Sequence, residues 1–141
     1  VASQLRLKGQ RVVCIVGDGG FLMTGNEMIA AVERNLSILF IVSNNCCYGS
    51  IRLHQDKYYP GRQIGTTLHN PDFVALARSF GVKAVRATTP AHLDSAFAEA
   101  FALNGPYFIE IPSNAFAGIS AKDRGDEKVG IQYRPDRAMV G

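Results

Sequence analysis

The stretch Arg11-Val-Val-Cys-Ile-Val-Gly-Asp-Gly-Gly20 joins an apolar, β-branched run to a turn of three glycines around one carboxylate. Such a run, Arg11–Val16, reads as a strand buried on both faces. Working outward, Thr24-Gly-Asn-Glu27 fits a capping box with Thr24 as N-cap. Met28, Ala31, Val32 and Leu36 then recur at helical spacing. A second buried strand, Ile38–Val42, ends at Ser43-Asn44-Asn45, and the span from Cys46 to His69 is polar and irregular. Alternation resumes with Asn70 as N-cap, Pro71 as first helical residue and Gly81 as the stop, with Phe73, Val74, Ala77 and Phe80 along the apolar stripe. Val82–Ala87 reads as a strand. Thr89-Pro90 opens another helix, whose Leu93, Ala96, Phe97, Ala100 and Phe101 face inward until Asn104-Gly105. Tyr107–Ile111 is the fourth strand.

Strand and helix alternate as in a three-layer α/β/α fold with an open, mostly parallel sheet. The 141 residues suffice for one such domain, expected over 1–114, with an extended or partly disordered tail over 115–141. Val1–Leu7 looks like the tail of a helix entered without a cap, so an N-terminally truncated fragment of a longer chain is expected. Hydrophobic residues at 47% and charged residues at 19% argue against disorder. A net charge of +3, spread along the chain, excludes a nucleic-acid or membrane-surface protein as the first reading. Tyr48, Tyr58 and Tyr59 with Arg62 do not change that, because no RNA-binding motif accompanies them. No apolar run is long enough to span a bilayer. Cys14, Cys46 and Cys47 have neither CxxC nor metal-ligand spacing, so free, buried or half-buried thiols in the cytoplasm are expected.

Gly17-Asp18-Gly19-Gly20 lies between a buried strand and a helix, where ligands of open parallel sheets collect. Consecutive glycines let backbone N–H groups approach a phosphate, and a helix start adds partial positive charge. Asp18 would repel that phosphate unless a cation bridged them. Asn45 supplies a neutral oxygen at the end of the next strand, and the interval leaves room for a crossover helix, so both strands end on one edge. Asp18, Asn45 and a nearby backbone carbonyl, completed by phosphate oxygens and water, suit octahedral Mg²⁺. Taken singly, Gly-Asp-Gly is a common turn and Asn-Asn a common strand terminator; together they point to one site. Neither GxGxxG nor a P-loop is present.

Gly17-Asp18-Gly19 followed at this interval by Asn44-Asn45 resembles the signature of thiamine-diphosphate-dependent enzymes, over nearly the whole chain to about Asn114. The resemblance implies their cofactor-binding C-terminal domain, Mg²⁺ held by Asp18, Asn45 and the Cys47 main-chain carbonyl, and diphosphate donors at Gly19, Gly20 and Gly49. Gly49, Ile51, Arg52 and Gln55 are similar to the acetolactate-synthase-like carboligases, whereas pyruvate-decarboxylase-like members carry a Glu where Ile51 stands. Implied with them are a 2-oxo acid substrate, a glutamate-bearing pyrimidine domain, usually from a neighbouring subunit, and a homodimer or homotetramer. This stretch alone is then expected to lack turnover. His54 and His69 fall in a segment that resembles the family's mobile loop and read first as solvated. Arg52 meets either a substrate carboxylate or a structural partner. Arg78, Lys83 and Arg86 read as solvated charges. The competing class is a non-catalytic phosphate- and metal-binding module with a regulatory or assembly role.

Overall fold

The computed structural model describes residues 1–6 and 9–113, and the expected tail over 115–141 lies outside them. Strands β1 (Val12–Gly17), β2 (Ile38–Asn44), β3 (Lys83–Arg86) and β4 (Tyr107–Pro112) form one sheet in the order β1-β2-β4-β3. Every pairing is parallel. Helices α1 (Ala2–Arg6), α2 (Asp18–Thr24), α3 (Met28–Glu33), α4 (Gly49–Tyr58), α5 (Phe73–Ser79) and α6 (Pro90–Ala102) complete the described fold.

Side chains alternate across a strand, and the two faces carry separate cores. Phe21, Met28, Phe73, Val74 and Ala77 from α2, α3 and α5 pack on Val42, Ala84 and Phe108. Phe21 meets Phe73 and Phe108 edge-on, each at 5.5 Å between centroids. Across the sheet, Ala96 and Ala100 of α6 pack on Leu39, Ile41, Tyr107 and Ile109. The expected three-layer arrangement is therefore present, with α2, α3 and α5 on one face and α6 on the other.

Several local expectations need correction. The capping box at Thr24 does not form: α2 already begins at Asp18, and a 3₁₀ turn over Gly25–Glu27 links it to α3. The Thr24 side chain makes no cap bond. The kink lets both Phe21 and Met28 face the core, and a side chain at Gly25 would strike the Phe21 ring at 2.7 Å. Asn70 is not an N-cap; Asp72 caps α5 by accepting from Val74 N–H and Ala75 N–H. Gly81 does close that helix, at φ +83°, and Thr89 does cap α6, accepting from His92 N–H.

Strand β1 is not buried on both faces: Val13 and Ile15 are exposed, as is Cys14. Among the described residues it has one neighbour in the sheet, and α6 packs on β2, β3 and β4. Phe101 likewise lies outward, against Phe97 and beneath Arg11. The irregular span after Cys46 contains α4, which buries no residue. An amphipathic pattern is a record of burial, so a helix with no buried face leaves none in the sequence. The bonds of Gln63 to Arg52 and Asp56, and the pairing of Gln55 with the Ile64 backbone, tie α4 to the chain that follows it.

Three charges expected to be solvated are paired. Arg78 donates to the Ala84 carbonyl, Arg86 to Glu110 and Asp72, and Lys83 meets Glu99 at 2.9 Å. Glu99 also accepts from the Tyr107 hydroxyl at 2.9 Å. Burial, then the Glu99 hydrogen bond and charge, push the Tyr107 phenol up to about 12 from an ordinary 10.0. A pKa raised on folding stabilises the native state fully below the unfolded value and loses that contribution as pH climbs through the folded one. Tyr107→Phe should therefore flatten the fall in stability between pH 10 and about 12, read by urea unfolding across that range.

Candidate functional site

Register places the site. Gly17 pairs with Ser43 at the C-terminal ends of β1 and β2, so Asp18 and Asn44-Asn45 leave their strands at the same edge. All seven residues expected to hold the cofactor (Gly17, Asp18, Gly19, Gly20, Asn45, Cys47 and Gly49) line one cavity of about 300 Å³ together with Ser43, Tyr48 and Ser50. Helices α2 and α4 both begin here, with no side-chain cap on either first turn. Apart from Gly19 N–H, which donates to the Asp18 carboxylate, their first N–H groups have no side-chain cap.

The Asp18 carboxylate is 2% exposed. Its Oδ1 accepts from Gly19 N–H at 2.9 Å and its Oδ2 from Asn70 Nδ2 at 2.7 Å. Among the described residues it has no ion pair. Asn44 and Asn45 form successive side-chain turns: their Oδ1 atoms accept from Cys46 N–H and Cys47 N–H, each at 3.1 Å. Cys46, between them, is held at φ +54°, a left-handed conformation rare for a residue with a side chain.

The segment after α4 returns to the site. Tyr48 N–H donates to the Thr66 carbonyl and Leu68 N–H to the Cys46 carbonyl, flanking an antiparallel bridge between Cys47 and Thr67. In that geometry the N–H and C=O of Cys47 point away from its partner. The N–H goes to Asn45, and the carbonyl stays outside the ladder at the cavity wall.

The thiols contribute little. Burial, aided by the charges of Asp18 and Glu110, pushes Cys46 up, and burial pushes Cys47 up against the opposing pull of Arg52. Both therefore stay protonated at neutral pH. All three cysteines are free. Among the described residues no three or more His, Cys, Asp or Glu side chains gather as a metal site. The available donors are hard oxygens: one carboxylate, one side-chain amide and one main-chain carbonyl.

His54 and Arg52 do not line this cavity. His54 is exposed and stacks on Tyr58 at 6.0 Å, and His69 is also exposed. Arg52 is engaged by Asp56 at 3.6 Å, by Thr66 at 3.4 Å and by Gln63. Four residues with no functional reading in the sequence support the site instead. Asn70 reaches Asp18, Asn44 reaches Asn70, and Glu110, paired with Arg86, anchors Asn44. A glutamate inside an otherwise apolar strand, with an arginine in a neighbouring one, was the available signal.

This fold and edge site define a class of cofactor-binding α/β domain, and the comparisons place the chain within it. The family model for "Thiamine pyrophosphate enzyme, C-terminal TPP binding domain" matches residues 1–111. The chain belongs to that family. A probable acetolactate synthase large subunit of Methanococcus aeolicus is 31% identical over 99% of this chain and 24% of its own length. Its counterpart in Methanocaldococcus jannaschii is 38% identical over 71% of this chain and 17% of its own. The chain thus spans about a quarter or less of these relatives. Among solved structures, a thiamine diphosphate-dependent 4-hydroxybenzoylformate decarboxylase of Rhodococcus jostii superposes with a TM-score of 0.76 at 27% identity, over 80% of this chain and 21% of that one.

Gly19 is required where it stands. A Cβ there would lie 2.4 Å from Tyr48 Cε1 and 3.2 Å from Leu68 Cδ1. Gly19→Ala should destabilise the chain by about 1–3 kcal/mol. Adding Tyr48→Ala should recover part of that loss, so a double-mutant cycle by urea unfolding should be non-additive.

Proposed function

We propose that the cavity at the ends of β1 and β2 takes the diphosphate of thiamine diphosphate together with a Mg²⁺ that Asp18, Asn45 and the Cys47 carbonyl would hold. The observation that carries this reading is the Asp18 carboxylate, buried at the cavity wall without an ion pair among the described residues. A buried charge left so is disfavoured by several kcal/mol, and a divalent cation offsets that. The cradle fits too. Gly17 lines the cavity and a Cβ on it would meet nothing within 4 Å, whereas Gly19 and Gly20 lie close under Tyr48 and Val16.

In this reading Gly20 and Gly49 offer N–H donors to the diphosphate, Gly19 would join them by exchanging its bond to Asp18 Oδ1, and the start of α4 favours the diphosphate charge. Asp18 and Asn45 fix the cation, and Tyr48 with Leu68 closes the wall beside Gly19. Bound thiamine diphosphate supplies an electron sink for loss of CO₂ from a 2-oxo acid and for passing the remaining acyl unit to a second carbonyl compound. The similarity to acetolactate synthase subunits supports a carboligase of that kind, a lyase or transferase in its natural setting. The activating glutamate and the pyrimidine-side contacts would come from another domain, belonging to a neighbouring subunit of a cytoplasmic homodimer or homotetramer. Among the described residues no helix is long and apolar enough to cross a membrane.

Calorimetric titration tests this. The wild type should bind thiamine diphosphate only with Mg²⁺ present, and Asp18→Asn should weaken binding by about a hundredfold, ~2.7 kcal/mol. Equal binding with and without Mg²⁺, or an unaffected Asp18→Asn, would sink the proposal. The 141-residue chain, loaded with both, should release no CO₂ from pyruvate.

A further inference from the structure

Five side chains connect the far side of the sheet to the cavity. Arg86 Nε donates to Glu110 Oε2 at 2.7 Å, and Asn44 Nδ2 donates to Glu110 Oε1 at 2.8 Å. Asn70 Nδ2 then donates twice, to Asn44 Oδ1 at 2.8 Å and to Asp18 Oδ2 at 2.7 Å. Pairing of Val42 with Glu110, and of Glu110 with Arg86, sets residues 44, 86 and 110 on one face of the sheet. Glu110 and Asp18 are each 2% exposed, and Asn44 is 6% exposed.

The orientation of Asn70 is forced. Its Oδ1 is buried without a hydrogen-bond partner among the described residues. Turning the amide over would set that oxygen against two other oxygens, Asp18 Oδ2 and Asn44 Oδ1, and lose both donations. A buried unpaired acceptor is therefore tolerated so that both donors stay engaged. Each Asp18 oxygen is in turn held by one donor, Gly19 N–H or Asn70 Nδ2, and keeps a second lone pair.

We propose that Asn70 is a positioning residue for the divalent cation: clamped by the Arg86–Glu110–Asn44 relay, its amide fixes the rotation of the Asp18 carboxylate. This rests on the reading that Asp18 binds Mg²⁺ with thiamine diphosphate. Partners of this kind change metal affinity without touching the metal. Without Asn70, the carboxylate turns about its last bond, and a cation must order it on arrival.

Mn²⁺ in place of Mg²⁺ gives a readout separate from turnover. Free Mn²⁺ is counted by electron paramagnetic resonance, with thiamine diphosphate present and the protein at its natural length. Asn70→Leu keeps volume without a donor, and Asn70→Ala removes both. Each should raise the Mn²⁺ dissociation constant by about 10–100-fold. Thr89→Ala, which removes the distant α6 cap, reports general destabilisation and should leave that constant unchanged. Should Asn70→Ala not fold, Asn70→Leu decides. Wild-type affinity in Asn70→Leu, or an equal loss in Thr89→Ala, overturns the inference. No Mn²⁺ uptake by the wild type overturns the cofactor reading itself, and this inference with it.

Discussion

A carboxylate buried to 2% exposure without an ion pair among the described residues is the constraint around which this domain is arranged. Every hydrogen bond that Asp18 accepts comes from a neutral donor. Neutral donors soften the desolvation of a charge but do not cancel it. The second buried acid, Glu110, is handled differently, with Arg86 at 2.7 Å. Two acids of equal burial, one neutralised and one not, separate a structural role from a site.

The scaffold serves that edge. Parallel register between β1 and β2 sets Gly17 opposite Ser43, and the two apolar cores hold the sheet from both faces. Close packing makes such a sheet stiff, so loops leaving its C-terminal edge start from fixed points. The asparagine turns and the Cys47–Thr67 bridge then carry that rigidity into the backbone around the cavity. The Cys46 thiol adds a single bond there, at 3.4 Å to Asn44 Oδ1.

The sequence exposes those parts of the molecule whose physics is local or periodic. The buried strands β2 and β4, the Thr89 cap and the Gly81 stop can be read from residue type and spacing, because each acts within a few residues. The glycines after Val16 mark the end of β1 but open α2 rather than form a turn. Gly17, Asp18, Gly19, Gly20 and Asn45 follow from the strand-edge rule, whereas Cys47 and Gly49 are implied only by the family resemblance. What spacing does not reveal is long-range pairing. Asn70 looks like a helix cap beside Pro71, yet its amide is drawn to Asp18 and Asn44, distant in sequence, while Asp72 does the capping. Arg86 and Lys83 look solvated until Glu110 and Glu99 are placed. Helix α4 is silent because it buries nothing. Exposure of β1 has the same origin: its composition records a neighbour on each face, whereas the described residues cover only part of it.

That uncovered strand has a consequence for handling the polypeptide. Among the described residues Val13 and Ile15 stand exposed, and one row of β1 backbone amides and carbonyls has no strand beside it. An apolar, β-branched border of this kind is a template on which other molecules add as extra strands. The 141-residue chain in concentrated solution will therefore tend toward intermolecular cross-β association, and a lysine introduced at position 15 would act as a gatekeeper against it.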